Sequence, residues 1–282
     1  MKDNRNTILK GIGALAAIII IFSSISRLFF SASDTLAELA AKHTPSPDVA
    51  TPAPTPVTDI TSADISYTEE ITPTPEPTED PAMQILKEFY YAPLTEEQKK
   101  YITGCSYPDT DDELAISYDE LSYVHILHYD FDGNLAEGEL ICNNYIAQDL
   151  LEIFYELYLN EYQLERVTLI ENYNGDDTLS MMDNNTSCFN YRVVDGTTNL
   201  SKHAYGLAID INPFYNPYVT YPDGKIRISP PGSESYADRE ADFPYKIDDN
   251  DLCYKLFKKH GFTWGGDWNS SKDYQHFQKT MK

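Results

Sequence analysis

An abrupt change in composition near residue 84 divides this chain of 282 residues into a segment that cannot fold alone and one that can. Residues 44–83 are rich in Pro and Thr, contain no Lys or Arg, and carry eight acidic residues with few large apolar side chains. Such a composition buries too little apolar surface to offset the entropy lost on ordering. We therefore predict a disordered Pro/Thr-rich linker over residues 31–83 and a globular domain over residues 84–282.

The linker is interpreted either as a spacer or as a tail without a spacing role. Proline favours extended backbone at ~3.1 Å per residue, so ~40 residues would span on the order of 100 Å. That reach would carry a domain into a thick cell wall.

The N-terminus has the pattern of an export signal. Lys2, Arg5 and Lys10 precede an uncharged run over residues 11–26, and Arg27 follows it. A membrane span needs ~20 apolar residues, but flanking Lys and Arg side chains can reach the interface and extend a shorter run. We predict a signal-anchor, or alternatively a cleaved signal peptide, over residues 1–30. Both place the remaining chain outside the cytoplasmic membrane, either anchored by this helix or secreted.

Charge and cysteine content limit the possible partners of the globular part. Residues 84–282 contain 16 Lys and Arg against 34 Asp and Glu, a field that repels nucleic acid. The four cysteines are too widely separated to suggest a thiolate metal site. These cysteines, namely Cys105, Cys142, Cys188 and Cys253, can form one or two disulfides in an oxidising compartment or remain as buried thiols.

The apolar patterns of the globular part predict an α+β domain. Residues 122–146 alternate and break at Asp132-Gly133-Asn134, which indicates a β-hairpin. Residues 146–162 have helical periodicity, 165–174 resemble a strand, and 251–262 resemble a helix that ends at Gly261. Strands in hairpins interspersed with helices favour a mixed or antiparallel sheet flanked by helices.

The stretch SKHAYGLAID, residues 201–210, places His203 just before a predicted strand that carries Asp210. A carboxylate within so apolar a strand is costly to bury without a cationic partner. Taken alone, the pair is a weak signal, for which a structural histidine and a salt-bridged aspartate are the more frequent explanation.

The C-terminal segment, residues 261–278, supplies the third candidate ligand. It contains Asp273 and, three residues later, His276. Two histidines and a carboxylate are the usual protein ligands of a catalytic zinc ion, which makes a bound water acidic. Asp273 is then placed to accept the proton of that water as a general base.

Together, the motifs SKHAYGLAIDINP, WGGDW and DYQHF resemble those of the M15 peptidases, the D-Ala-D-Ala carboxypeptidase and L-alanyl-D-glutamate endopeptidase group, with the endolysin-like branch most similar. The resemblance implies a hedgehog/DD-peptidase-like fold in which Zn²⁺ is held by His203, Asp210 and His276. It also implies that Asp273 is the base and then the acid for the leaving amine. Arg192 matches a family arginine that binds substrate, and Ser201 a serine that supports the site.

Several other residues have two interpretations at this point. Arg192 can alternatively pair with a surface acid. Trp264 and Trp268 fit either core packing or the wall of a pocket. The segment between the two motifs contains three basic residues that are candidates to meet a substrate carboxylate, namely Lys225, Arg227 and Arg239.

The resemblance predicts a zinc metallopeptidase that hydrolyses peptide bonds in peptidoglycan stem peptides. Carboxypeptidase and endopeptidase activity both remain open, because the first needs a pocket closed around a terminal carboxylate and the second an open cleft. The alternatives are a non-catalytic cell-wall-binding module with a vestigial zinc site, and a structural surface protein whose stalk is the functional part.

Overall fold

The computed structural model describes residues 81–281, with side chains from Gln84 onward. The predicted signal-anchor and the linker through residue 80 lie outside the described residues. The first described helix begins at Pro81, three residues before the predicted domain boundary. Among the described helices, none combines the length and apolar character that crossing a bilayer requires.

Five α-helices are described between residues 81 and 281, the third being the longest. They are α1 (Pro81–Lys87), α2 (Glu96–Ile102), α3 (Asn144–Leu159), α4 (Asp177–Met182) and α5 (Leu252–Lys259).

The described strands form small sheets, of which all but one are antiparallel. The first contains β1 (Tyr90–Pro93), β2 (Leu121–Tyr129) and β3 (Leu135–Asn143). A parallel pair joins β4 (Arg166–Val167) to β5 (Asn185–Thr186). The remaining strands are β6 (Ala208–Asp210), β7 (Tyr218–Thr220), β8 (Arg227–Ser229), β9 (Thr263–Trp264), β10 (Lys272–Asp273) and β11 (His276–Gln278).

The β2–β3 hairpin is the platform of the domain, and both of its faces are buried. Successive side chains of a strand point to opposite faces, so alternate residues enter different cores. Val124 and Leu140 pack in the larger cluster with α3, whereas Tyr123 and Ile141 pack in a second cluster on the other face. The predicted hairpin and its turn at 130–134 are thereby confirmed, as is the predicted helix that follows.

A three-stranded antiparallel sheet of order β6-β11-β9 holds the C-terminal DYQHF motif against the larger core. Phe277 lies between Ile209 on one side and Trp264 on the other, and its side chain is fully buried. Phe257 of α5 stacks on it with ring centroids 4.4 Å apart. Burial of Phe277 fixes the register of the strand that begins with His276, because a slip of one residue would expose this ring.

One sequence-based expectation is corrected here. The strand predicted for residues 165–174 is limited to β4, because the chain turns into a 3₁₀ helix at Ile170–Tyr173 that packs Ile170 inward. Alternation of apolar residues does not distinguish a strand from an irregular buried segment. Of the two alternatives for the cysteines, the free thiols are observed: none of the four is in a disulfide, and three of them are buried. The α+β class itself is confirmed.

Gly206 lies against the backbone at the end of the β2–β3 hairpin, and substituting it tests how much that close contact matters. It ends a 3₁₀ turn with φ +62°, and an added Cβ would lie 2.5 Å from the backbone nitrogen of Asn143. Gly133 also has positive φ (+79°), but a Cβ added there would have nothing within 4 Å, so it is a matched control.

We expect Gly206→Ala to lower the free energy of unfolding by ~2 kcal/mol or more beyond the loss in Gly133→Ala. Both variants carry the strain of left-handed backbone, and only the first adds overlap with the platform. Urea denaturation measures the two losses. Equal losses would show that the close contact with Asn143 is unimportant.

Candidate metal centre

His203 is held by short-range contacts on both sides. It lies in a 3₁₀ turn, Lys202–Tyr205, whose N-cap is Ser201; the Ser201 hydroxyl accepts a hydrogen bond from the His203 backbone N–H at 3.3 Å. Gly206 ends the turn, and its carbonyl accepts the N–H of Asn143 at the end of β3. Ser201 therefore caps the turn that carries the histidine, and it is itself buried.

Strand pairing brings the other two candidate ligands together. Asp210 at the end of β6 lies directly opposite His276 at the start of β11. On its other side, Asp210 exchanges two backbone hydrogen bonds with Ser187, at 2.9 and 3.1 Å. The aspartate is therefore in the middle of a three-segment arrangement, buried and enclosed by backbone.

The three side chains converge on one point. Asp210 Oδ2 lies 3.3 Å from His203 Nε2, and Asp210 Oδ1 lies 3.0 Å from His276 Nδ1. The two imidazole nitrogens, His203 Nε2 and His276 Nδ1, are 3.2 Å apart. Ligands ~2.0–2.1 Å from a tetrahedral zinc ion are ~3.3 Å apart, so the spacing fits such an ion. Within the described residues, these three form the one group with metal-ligand spacing.

Hydrogen bonds behind the cluster determine which nitrogen of each ring faces inward. His203 Nδ1 lies 2.6 Å from the carbonyl oxygen of Cys188, and His276 Nε2 lies 3.1 Å from Oε1 of Gln278. An oxygen acceptor at each outer nitrogen requires that nitrogen to carry the proton. When the rings are neutral, each inner nitrogen then presents a lone pair to the centre.

This arrangement fits a cation. Two lone pairs 3.2 Å apart beside a carboxylate repel one another unless positive charge lies among them. The pKa values show the same demand for positive charge. Burial opposes a charge on His276, but its hydrogen bond to Asp210 and the aspartate's charge raise its pKa to about 9. Burial also opposes ionisation of Asp210, but the two histidines hold its pKa well below the usual range.

Asp273 lies beside the cluster without belonging to it. It pairs with Tyr218 in the sheet β10-β7-β8, and its Oδ1 is buried with no hydrogen-bond partner among the described residues. Burial raises its pKa to about 7; His276 acts against this shift and the charge of Asp210 adds to it. A buried carboxylate oxygen that nothing satisfies is suited to accept a proton from a ligand.

Glycine permits the approach of Asp273 to the turn at Gly265–Asp267. A Cβ on Gly265 would lie 2.6 Å from both Cβ and the carbonyl oxygen of Asp273. Gly266 likewise lies against the Trp264 ring. At both positions of the GG pair in the WGGDW motif, a side chain would therefore clash with a neighbouring residue.

The two tryptophans have different positions. Trp264 is a core residue: it is buried, and its indole N–H donates to the carbonyl of Tyr274 at 2.9 Å. Trp268 is half-buried, with its ring centroid 5.4 Å from that of His276, and so lies at the edge of the cluster. The core interpretation therefore fits the first tryptophan and the pocket-wall interpretation the second.

Arg192 pairs with an acid, and its role in binding substrate stays a prediction. One terminal nitrogen, Nη2, lies 2.8 Å from Asp177 Oδ2, so the arginine does pair with an acid. Its Nε is nevertheless buried without a hydrogen-bond partner among the described residues. Burial raises the pKa of Asp273, and the positive charge of Arg192 acts weakly against that rise. The arginine thus has a donor that no described residue uses.

The other basic candidates are placed differently. Arg239 donates to the carbonyls of Tyr215, Tyr236 and Ile247 and lies over the Tyr274 ring, so it organises the inserted segment. Arg227 pairs with Asp195 at the surface, and the Lys225 side chain is exposed. Both terminal nitrogens of Arg239 donate to the protein itself, whereas Lys225 and Arg227 lie at the surface. That one of the three meets a substrate carboxylate stays a prediction.

Three contributors to the site are absent from the sequence-based prediction. Gln278 lies two residues after His276, so the period of a strand already placed both on one face. Cys188 contributes through its backbone carbonyl, and Asp177 is distant in sequence; no pattern indicates either one.

Comparison with known proteins adds one match. Residues 195–279 match a peptidase M15 family model described as D-alanyl-D-alanine carboxypeptidase. The matched segment includes the three clustered residues and Asp273, whereas Arg192 and Asp177 precede it. No curated protein and no solved structure matches the chain.

We expect Gln278→Leu to weaken metal binding by about 10–100-fold, since it removes the acceptor that orients His276. Gln278→Glu retains an acceptor oxygen and should bind metal within a few-fold of the unaltered protein. Gln148→Leu, which removes a glutamine bonded to Glu152 on α3, is the control and should have no effect. Competition with a chromophoric chelator measures each dissociation constant. Unchanged affinity in Gln278→Leu would contradict the assigned orientation.

Proposed function

We propose that this protein is a zinc-dependent peptidase of peptidoglycan stem peptides, with a hedgehog/DD-peptidase-like domain. The match of residues 195–279 to the peptidase M15 family model supports a peptidase acting on cell-wall peptides, and the zinc dependence and the bond cleaved are the finer parts of the proposal. The carrying observation is the convergence of His203, Asp210 and His276 next to the unsatisfied carboxylate oxygen of Asp273.

The three clustered residues would hold the zinc ion. When bound, zinc would supply Lewis acidity, which polarises a carbonyl oxygen and makes a nearby water acidic. His203 and His276 each offer a lone pair whose direction is set by the hydrogen bond behind the ring. Asp210 offers a carboxylate that strand pairing holds between them.

Asp273 would move the proton. It takes a proton from the attacking water onto Oδ1 and later gives it to the nitrogen of the leaving amine. Its pKa near neutrality, caused mainly by burial, suits both steps, because a general base works best when its pKa lies near the operating pH. A bound cation would lower this pKa and favour the base form before attack.

Arg192 would bind an oxygen of the substrate. Its unused Nε–H can donate either to the scissile carbonyl, where negative charge develops, or to a terminal carboxylate. The half-buried ring of Trp268 would form a wall beside His276.

We keep both bond types within this proposal. A D-Ala-D-Ala carboxypeptidase is supported by the description of the matching family, whereas L-Ala-D-Glu endopeptidase activity is supported by resemblance to the endolysin-like branch. We also propose that residues 1–30 hold the domain at the outer side of the cytoplasmic membrane or direct its secretion, where this substrate lies.

The test is digestion of purified muropeptides followed by mass spectrometry. Loss of a terminal D-Ala identifies the carboxypeptidase, and separation of L-Ala from D-Glu identifies the endopeptidase. A chelator should abolish either product and zinc should restore it. A protein that binds zinc with no product from any muropeptide would instead support a wall-binding module with a vestigial site.

We expect Asp273→Ala to retain zinc and to reduce turnover by roughly 10²–10⁴-fold, because the proton acceptor is removed and the ligands are not. The control is Asp267→Ala, an exposed acid on the neighbouring turn that pairs with Lys258 and should leave turnover unchanged. Turnover is measured on a stem peptide, and bound metal by elemental analysis. Near-normal turnover of Asp273→Ala would exclude it as the base.

A further inference from the structure

The guanidinium of Arg192 forms an ion pair with Asp177, and both residues precede the family-matched segment. We propose that Asp177 is a positioning residue for Arg192: by holding Nη2 it leaves the buried Nε–H facing the substrate. This inference rests on the proposed function and goes beyond it, because neither the match nor the sequence motifs include Asp177.

The first support is the environment of the ion pair. The side chains of Arg192 and Asp177 are 30% and 26% exposed, with 2.8 Å between Nη2 and Oδ2. Other arginine–aspartate pairs of the described residues are more open; Arg227 and Asp195 are 66% and 76% exposed. Exposed pairs contribute little because water screens them and the side chains must be ordered. The pair of Arg192 is better shielded, so its geometry is better defined.

The second support is the rigidity of both partners' backbones. The Arg192 carbonyl accepts the N–H of Ser201, the residue that caps the turn of His203. Asp177 is the first residue of α4, whose N-cap Asp176 accepts the N–H of Leu179. Asn190 links the two segments, since its side chain donates to the Gly175 carbonyl at 3.4 Å. Side chains from two anchored backbones meet in one place.

The third support is that one donor of the arginine, its Nε–H, stays unused when Asp177 holds Nη2. With Nη2 on Asp177, the buried donor without a partner is Nε. An unsatisfied buried donor beside a reaction site is costly unless a ligand completes it. Without Asp177, the long arginine side chain would sample other rotamers and lose this orientation on binding substrate.

The consequence is measurable as coupling between the two residues. We expect Asp177→Ala to lower kcat/KM for the stem peptide about tenfold while metal affinity stays unchanged. In an Arg192→Ala background the same substitution should change kcat/KM less than about twofold, because there is no guanidinium left to position. Asp177→Glu keeps the charge and should recover part of the loss.

Asp195→Asn is the matched control. Asp195 lies in the loop that follows Arg192 and pairs with an exposed arginine, so this variant should keep the full kcat/KM. Where Arg192→Ala leaves too little turnover to measure, the same cycle is measured as stem-peptide binding by calorimetry in the Asp273→Ala protein. That measurement does not require hydrolysis.

Two results would overturn the proposal: no loss in Asp177→Ala, or the same fold loss with and without Arg192, which would indicate a purely structural role for Asp177. Failure of the proposed function would be recognised separately, because the unaltered protein would then bind metal yet cleave no stem peptide.

Discussion

Antiparallel pairing of β6 with β11 is the contact on which the site depends. It places Asp210 opposite His276, although 66 residues separate them in the chain. Burial of Phe277 between Ile209 and Trp264 determines the register, so the hydrophobic core sets the position of a polar group. A slip of one residue would turn His276 away from the cluster and expose the phenylalanine ring.

Electrostatic requirements then select what the cluster binds. A buried carboxylate flanked by two imidazole lone pairs is unfavourable in the absence of positive charge, which either a bound cation or a proton on His276 can supply. The outer acceptors at Cys188 and Gln278 orient the two rings for the first of these. The same desolvation acts on Asp273 and raises its pKa. One buried region thus contains both a group with metal-ligand spacing and a carboxylate with a raised pKa.

The extent to which this could be predicted differs between elements. The hairpin and the helices at 146–162 and 251–262 were predictable because each has a local period and a local end signal, such as Gly261. The segment 165–174 was not, because its apolar residues are buried by an irregular turn rather than by a strand. The contacts of Arg239 were not predictable either, because its acceptors, three backbone carbonyls and the side-chain oxygen of Asn216, follow no pattern in the sequence.

The sequence alone determined the types of group available: two histidines, an aspartate and a second acid three residues before His276, on segments with local strand or turn character. Those properties depend on neighbouring residues, so motifs carry them. Only the tertiary structure decided that these side chains share one point, that Gln278 and the Cys188 carbonyl orient the rings, and that Asp177 holds Arg192. These are contacts between distant segments, and their geometry follows from how the whole core packs.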